Sequence, residues 1–115
     1  MLSTFSAVGK ADFICAGKIK QFRTWQTGFD AVSVDIGYGT WLLCRTSVQY
    51  ENIQPEMCKV MISTVLSAAN TNRSISIQFR NKLPDGTDNP YTTCDQVPDW
   101  NSQAAKYMHQ LYVNY

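Results

Sequence analysis

A chain of 115 residues, 44% hydrophobic and 17% charged, has the length of one domain and enough apolar content to fill one core. Its net charge is +1, with five basic and five acidic residues over 1–57 and five and four over 58–115. This balance excludes a highly charged disordered chain and gives no basic footprint for duplex DNA or an anionic membrane. No stretch approaches the roughly eighteen apolar residues that span a bilayer.

Residues 1–11, Met-Leu-Ser-Thr-Phe-Ser-Ala-Val-Gly-Lys-Ala, are small and mildly apolar. They lack a basic n-region and a long h-region, so they read as a leader or a signal-peptide remnant ahead of a single domain over 12–115, with Ala11 a small residue before Asp12. Ile14 to Trp25 reads as one long first strand, closed by the turn signal Gln26-Thr27-Gly28. Phe29 to Ile36 alternates: Phe29, Ala31, Ser33 and Asp35 share one face, and Asp30, Val32, Val34 and Ile36 the other. That predicts a half-buried strand. Gly37-Tyr38-Gly39 is a tight connection whose glycines are free to take positive φ. Thr40 to Val48 predicts a third strand.

The period then changes. Gln54-Pro55-Glu56 is a helix start, with proline pre-set for the first position and an acid near the positive helix end. Cys58, Met61, Ile62, Val65, Leu66 and Ala69 form an apolar stripe that ends near Asn70-Thr71-Asn72. Arg73 to Arg80 is a clear strand, with Ile75, Ile77 and Phe79 on one face. Residues 81–102 carry Pro84-Asp85-Gly86, Asn89-Pro90 and Val97-Pro98-Asp99 and read as a long loop. Lys106 to Asn114 reads as a last strand from its aromatic and branched content. The order β-β-β-α-β-β predicts a mainly β fold with one helix, a five-stranded OB-fold-like Greek-key barrel.

The four cysteines, Cys15, Cys44, Cys58 and Cys94, are spaced by 29, 14 and 36 residues. No spacing is that of a CxxC motif, and His109 is the only histidine, so no zinc pattern and no metal site is read. An even count in a small, weakly charged chain fits two disulfides and an exported protein, secreted or periplasmic. Four buried thiols in a cytosolic domain is the competing reading. In the predicted barrel, strand one runs antiparallel to strand four, which carries Cys15 towards Cys94. Cys44 in strand three and Cys58 in the first helical turn then meet inside. The expected pairs are Cys15–Cys94 and Cys44–Cys58. Asn72-Arg73-Ser74 matches a glycosylation sequon, a weak motif by itself.

Catalysis finds no pattern. Any nucleophile–base pair has to use His109, which sits in a strand flanked by Met108 and Gln110. No phosphate loop or HExxH appears, and no cofactor is expected. Asp95 and Asp99 read as turn residues. Met57, Met61 and Met108 read as core filler rather than a soft-metal site. The three Trp, six Tyr and five Phe are more informative, because aromatics near loops stack on sugars or bases. Trp25, Tyr38 and Trp41 lie at strand ends and turns; Tyr91 and Trp100 lie in the long loop. Packing is the competing reading, with Trp25 and Trp41 in the barrel and Trp100 anchoring the loop.

Four segments together, Cys-Ala-Gly-Lys-Ile-Lys-Gln-Phe-Arg (15–23), Leu-Leu-Cys (42–44), Pro-Glu-Met-Cys-Lys-Val-Met (55–61) and Ser-Ile-Ser-Ile-Gln-Phe (74–79), resemble the B subunits of the subtilase-cytotoxin and typhoid-toxin type over roughly residues 13–80. The resemblance implies a secreted OB-fold that assembles as a homo-oligomeric ring of five, binds sialylated host glycans and delivers a separate catalytic subunit. It also implies a sugar-binding serine at the start of strand one. That place is held here by Cys15 and Ala16, so the hydroxyl is missing. Thr40 matches a polar group of the family's turn between strands two and three; Tyr38 and Trp41 are its neighbours.

The expectation is therefore an exported, non-enzymatic glycan-binding module with Trp25, Tyr38, Thr40 and Trp41 as its candidate site. A stand-alone disulfide-stapled protein-binding domain is the alternative. An OB-fold for single-stranded nucleic acid comes third, because such a site wants a basic groove beside its aromatics.

Overall fold

The computed structural model describes residues 12–25 and 30–115. The leader reading of residues 1–11, the turn at Gln26-Thr27-Gly28 and the contribution of Phe29 lie outside them. Among the described residues the chain is mainly β, with one main helix and two three-stranded antiparallel sheets. The first sheet holds β1 (Phe13–Lys18), β5 (Ser74–Phe79) and β6 (Met108–Val113), in the order β1-β5-β6. The second holds β2 (Gln21–Thr24), β3 (Ala31–Asp35) and β4 (Thr40–Arg45), in that order. The main helix, α1 (Pro55–Asn70), connects β4 to β5, and a short helix, α2 (Gln103–Tyr107), precedes β6.

These six strands in two sheets correct the expectation of a closed five-stranded barrel. One reason lies in the first strand. A Cβ at Gly17 would overlap the Ile36 carbonyl, so glycine is what lets β1 press against the end of the neighbouring sheet. The chain bends at Ile19-Lys20, Lys20 N–H donates to the Asp35 carbonyl at 2.8 Å, and β2 continues in the second sheet. The predicted single strand thus serves both sheets as two pieces. The other reason lies at β4. Trp100 N–H donates to the Thr40 carbonyl at 3.0 Å, and α2 packs against β4. The loop thus takes a backbone hydrogen bond on β4, the strand that a closing strand would pair with, and the short helix lies against that strand.

The second predicted strand is buried on both faces rather than one, since Ala31, Val32, Ser33 and Val34 are all buried. Its register against β4 shifts between Val32 and Ser33, and the extra residue, Leu43, is also buried. The third predicted strand stops at Arg45, three residues early, where Asp30 draws the chain into a turn. The Asp30 carboxylate accepts from Arg45 Nε at 2.9 Å, Thr46 Oγ1 at 3.1 Å and Ser47 N–H at 2.7 Å. Hydrogen bonding from Ser47 is the largest cause, with Arg45 adding to it against opposing desolvation, and it holds this carboxyl far below the usual carboxylate range.

Helix α1 starts at Pro55 as expected. It buries Cys58, Met61, Val65 and Ala68, a narrower stripe than predicted. Leu66 and Ala69 fall on the exposed side. Asn72 ends the helix with φ 56°, and Arg73 N–H donates to the Ala68 carbonyl at 2.9 Å, a left-handed cap that asparagine tolerates.

The disulfides are Cys15–Cys94 and Cys44–Cys58, with Cα separations of 5.7 and 5.6 Å. The antiparallel pairing of β1 with β5, Phe13 opposite Phe79, is the register that brings the first pair together. Cys15, Cys44 and Cys58 are fully buried in the core, beside a ring cluster in which Phe79 stacks on Phe13 at 5.2 Å and meets Trp41 edge-on at 5.3 Å. Residues 81–102 are an ordered loop. Its buried Asn89 donates to the Arg80 carbonyl at 2.9 Å and accepts from Tyr91 N–H at 2.9 Å. Lys106 and Tyr107, read from sequence as strand, belong to α2. A five-residue helix is too short to impose a 3.6-residue period on the sequence. No helix among the described residues is long and apolar enough to cross a membrane.

Candidate functional site

The predicted site residues separate into two groups. Trp41 is fully buried, and its indole N–H donates to the Val97 carbonyl at 3.3 Å. It belongs to the core and offers no face to a ligand. Thr40 is buried beside it, with its carbonyl taken by Trp100 N–H. Tyr38, raised on the turn between β3 and β4, stacks on Trp41 at 5.7 Å with planes 7° apart and is 37% exposed. One of its faces is therefore covered by Trp41. Cys15 is buried in a disulfide and Ala16 is exposed, so the place that the resemblance assigns to a sugar-binding serine holds a buried sulfur and a methyl group.

Trp25 belongs to a different cluster. It is half-buried just beyond β2 and meets Trp100 edge-on, with ring centroids 6.2 Å apart. The Arg23 guanidinium carbon lies 5.9 Å from the Trp100 ring centroid. Arg23 and Trp25 share one strand face by their i, i+2 spacing. Trp100 reaches that face from the long loop, held by its N–H bond to Thr40. It has φ 58° and is 52% exposed. A left-handed tryptophan costs about 1–3 kcal/mol, and this one leaves half of its large apolar ring in water. No family model, no curated protein and no solved structure matches the chain.

The geometry around Trp100 is tight. Gly39, with φ 99°, would bring a Cβ within 2.9 Å of Asp99 Oδ2, so the β3–β4 turn and the residue before Trp100 fit only because position 39 has no side chain. Ser33 lies opposite Arg23 in the β2–β3 register. Its hydroxyl is buried and has no hydrogen-bond partner among the described residues. The cluster thus combines two indoles at an angle and one exposed guanidinium on a strand, with the buried Ser33 hydroxyl beneath them on the next strand. Indole faces pack on the C–H face of a sugar ring, and a guanidinium donates in a planar fork to hydroxyl or carboxylate oxygens. Among the described residues no group of three or more His, Cys, Asp or Glu side chains is placed to hold a metal ion.

Sequence reading missed Arg23; it weighed Trp100 as a stacking aromatic against an anchor of the loop and left it out of the candidate site. The alternation that puts Arg23 beside Trp25 was legible. The approach of Trp100 was not, because it depends on a left-handed residue seventy-five positions away in the chain.

Proposed function

We propose that the chain is an exported, non-enzymatic glycan-binding module of OB-fold type, similar to the B subunits of the subtilase-cytotoxin and typhoid-toxin class. The fold reading rests on the bent first strand shared by two sheets and on the helix between β4 and β5, an OB layout left open at β4. Export, secreted or periplasmic, rests on the two disulfides. The single observation that carries glycan binding is Trp100, half-exposed in a strained backbone and framed by Trp25 and Arg23. In this reading the two indoles grip the apolar face of a sugar and Arg23 holds its oxygens. Assembly as a homo-oligomer of five with a separate catalytic chain follows from the resemblance and completes the proposal.

A glycan array probed with the oxidised protein, its Trp100→Ala variant and its Tyr38→Ala variant is the test. The expected result is selective glycan binding that falls at least tenfold in Trp100→Ala and holds in Tyr38→Ala. Loss in Tyr38→Ala alone moves the site to the β3–β4 turn. Absence of glycan binding by the unmodified protein overturns the proposal. A native mass spectrum of the same sample gives the subunit count: five supports the toxin-like assembly, and one removes it.

A further inference from the structure

Three of the four methionines of the chain and its only histidine line a single groove. The groove, about 350 Å³, runs between α1 and β6. Met57 and Met61 face it from the first two turns of α1; at i, i+4 they are neighbours on one helix surface. Met108 and His109 line it from the start of β6, followed by Gln110, Leu111 and Tyr112. Adjacent residues of a regular strand point to opposite faces, but the register here is not regular. Gln78 pairs with Gln110, and Phe79 pairs with Met108, so His109 is the extra residue of a β-bulge. A bulge re-aims a side chain out of the alternation, and this one sits at His109, next to Met108, in the stretch of β6 that lines the groove. His109 is exposed and makes no hydrogen bond to any described residue.

Core filling accounts for Met61, which is buried. It does not account for Met57, which is 53% exposed and lines an open groove. Thioether sulfur is a soft donor that selects Cu(I)-class ions over hard cations and over oxidised copper, and imidazole complements it. All four cysteine sulfurs are in disulfides, so no thiolate competes for such an ion. We infer that Met57, Met61, Met108 and His109 form a binding site for one soft monovalent metal ion of the Cu(I) class. This inference is independent of the glycan reading, because the groove shares no residue with the Trp25–Trp100 cluster.

Ag(I), a redox-inert ion of the same class, is the probe, used on the full oxidised chain in chloride-free buffer. Native mass spectrometry is expected to show one Ag(I) per chain. In spectra of the protein labelled at its methionine methyl groups, three of the four resonances are expected to shift and that of Met1 to stay. Met57→Leu combined with His109→Gln, both at exposed positions, is expected to weaken binding at least 100-fold with unchanged thermal unfolding of the metal-free protein. Anaerobic competition for Cu(I) against a colorimetric chelator is expected to rank the variants in the same order. A chain that takes up no Ag(I) overturns the inference. So does Ag(I) binding that is unchanged in the double variant, or that moves only the Met1 methyl.

Discussion

At the scale of single residues, the backbone tolerates little change where two segments press together. Gly17 meets the Ile36 carbonyl and Gly39 meets Asp99. Gly17→Ala is expected to destabilise by about 2 kcal/mol or more, because the obstacle is backbone and cannot swing aside. Gly39→Ala is expected to cost about 1–2 kcal/mol from its positive φ and the displaced carboxylate. Urea unfolding of the two variants checks both figures. Asp30 acts through charge. Its folded carboxyl titrates below its unfolded value, so its contribution is full above about pH 4 and is lost as pH falls through and below that point. Asp30→Asn is expected to be less stable than the parent at neutral pH, and the difference is expected to narrow as the medium is acidified through this range. A difference that stays constant from pH 7 to pH 3 would show that the carboxylate charge is not what holds the turn.

At the scale of elements, the end of α1 offers a direct check. Asn72 sits in the left-handed region at an exposed position. Asn72→Gly is expected to raise stability by a few tenths of a kcal/mol to about 1 kcal/mol, and Asn72→Val to lower it by about 1–2 kcal/mol, as read from thermal unfolding. The same helix shows what a sequence carries in plain view. Pro55 and Glu56 mark its start by local chemistry, and Asn72 marks its end. The alternation of Ile75, Ile77 and Phe79 marks β5 in the same way, and together these elements order the strands well enough to pair all four cysteines. What escaped depends on distant approaches. The break between β1 and β2 follows from Gly17 meeting Ile36. The loss of barrel closure follows from Trp100 reaching the Thr40 carbonyl. The bulge at His109 follows from pairing with β5, and nothing at positions 108–110 announces it. Of the four residues read as a glycan site, only Trp25 and Tyr38 keep exposed surface, because burial of Trp41 and Thr40 is decided by the loop that covers them.

At the scale of the whole molecule, the two disulfides lie one inside the other. Cys44–Cys58 closes a separation of 14 residues within the 79 closed by Cys15–Cys94. The chain-entropy model assigns about 3 kcal/mol to the inner bond and roughly 4.5 kcal/mol to the outer. Replacing both outer cysteines by serine is therefore expected to lower stability more than replacing both inner ones, measured by denaturant unfolding without reductant. The nesting also governs what a protease can do. A cut at any peptide bond between residues 15 and 94 leaves the two fragments covalently joined, and a cut between 44 and 58 leaves them joined twice. A nicked molecule thus loses no residue, gains only the water of hydrolysis, and runs as one band until a reductant is added, when it separates into two. Most of the chain can be severed in a protease-rich medium without either half being released.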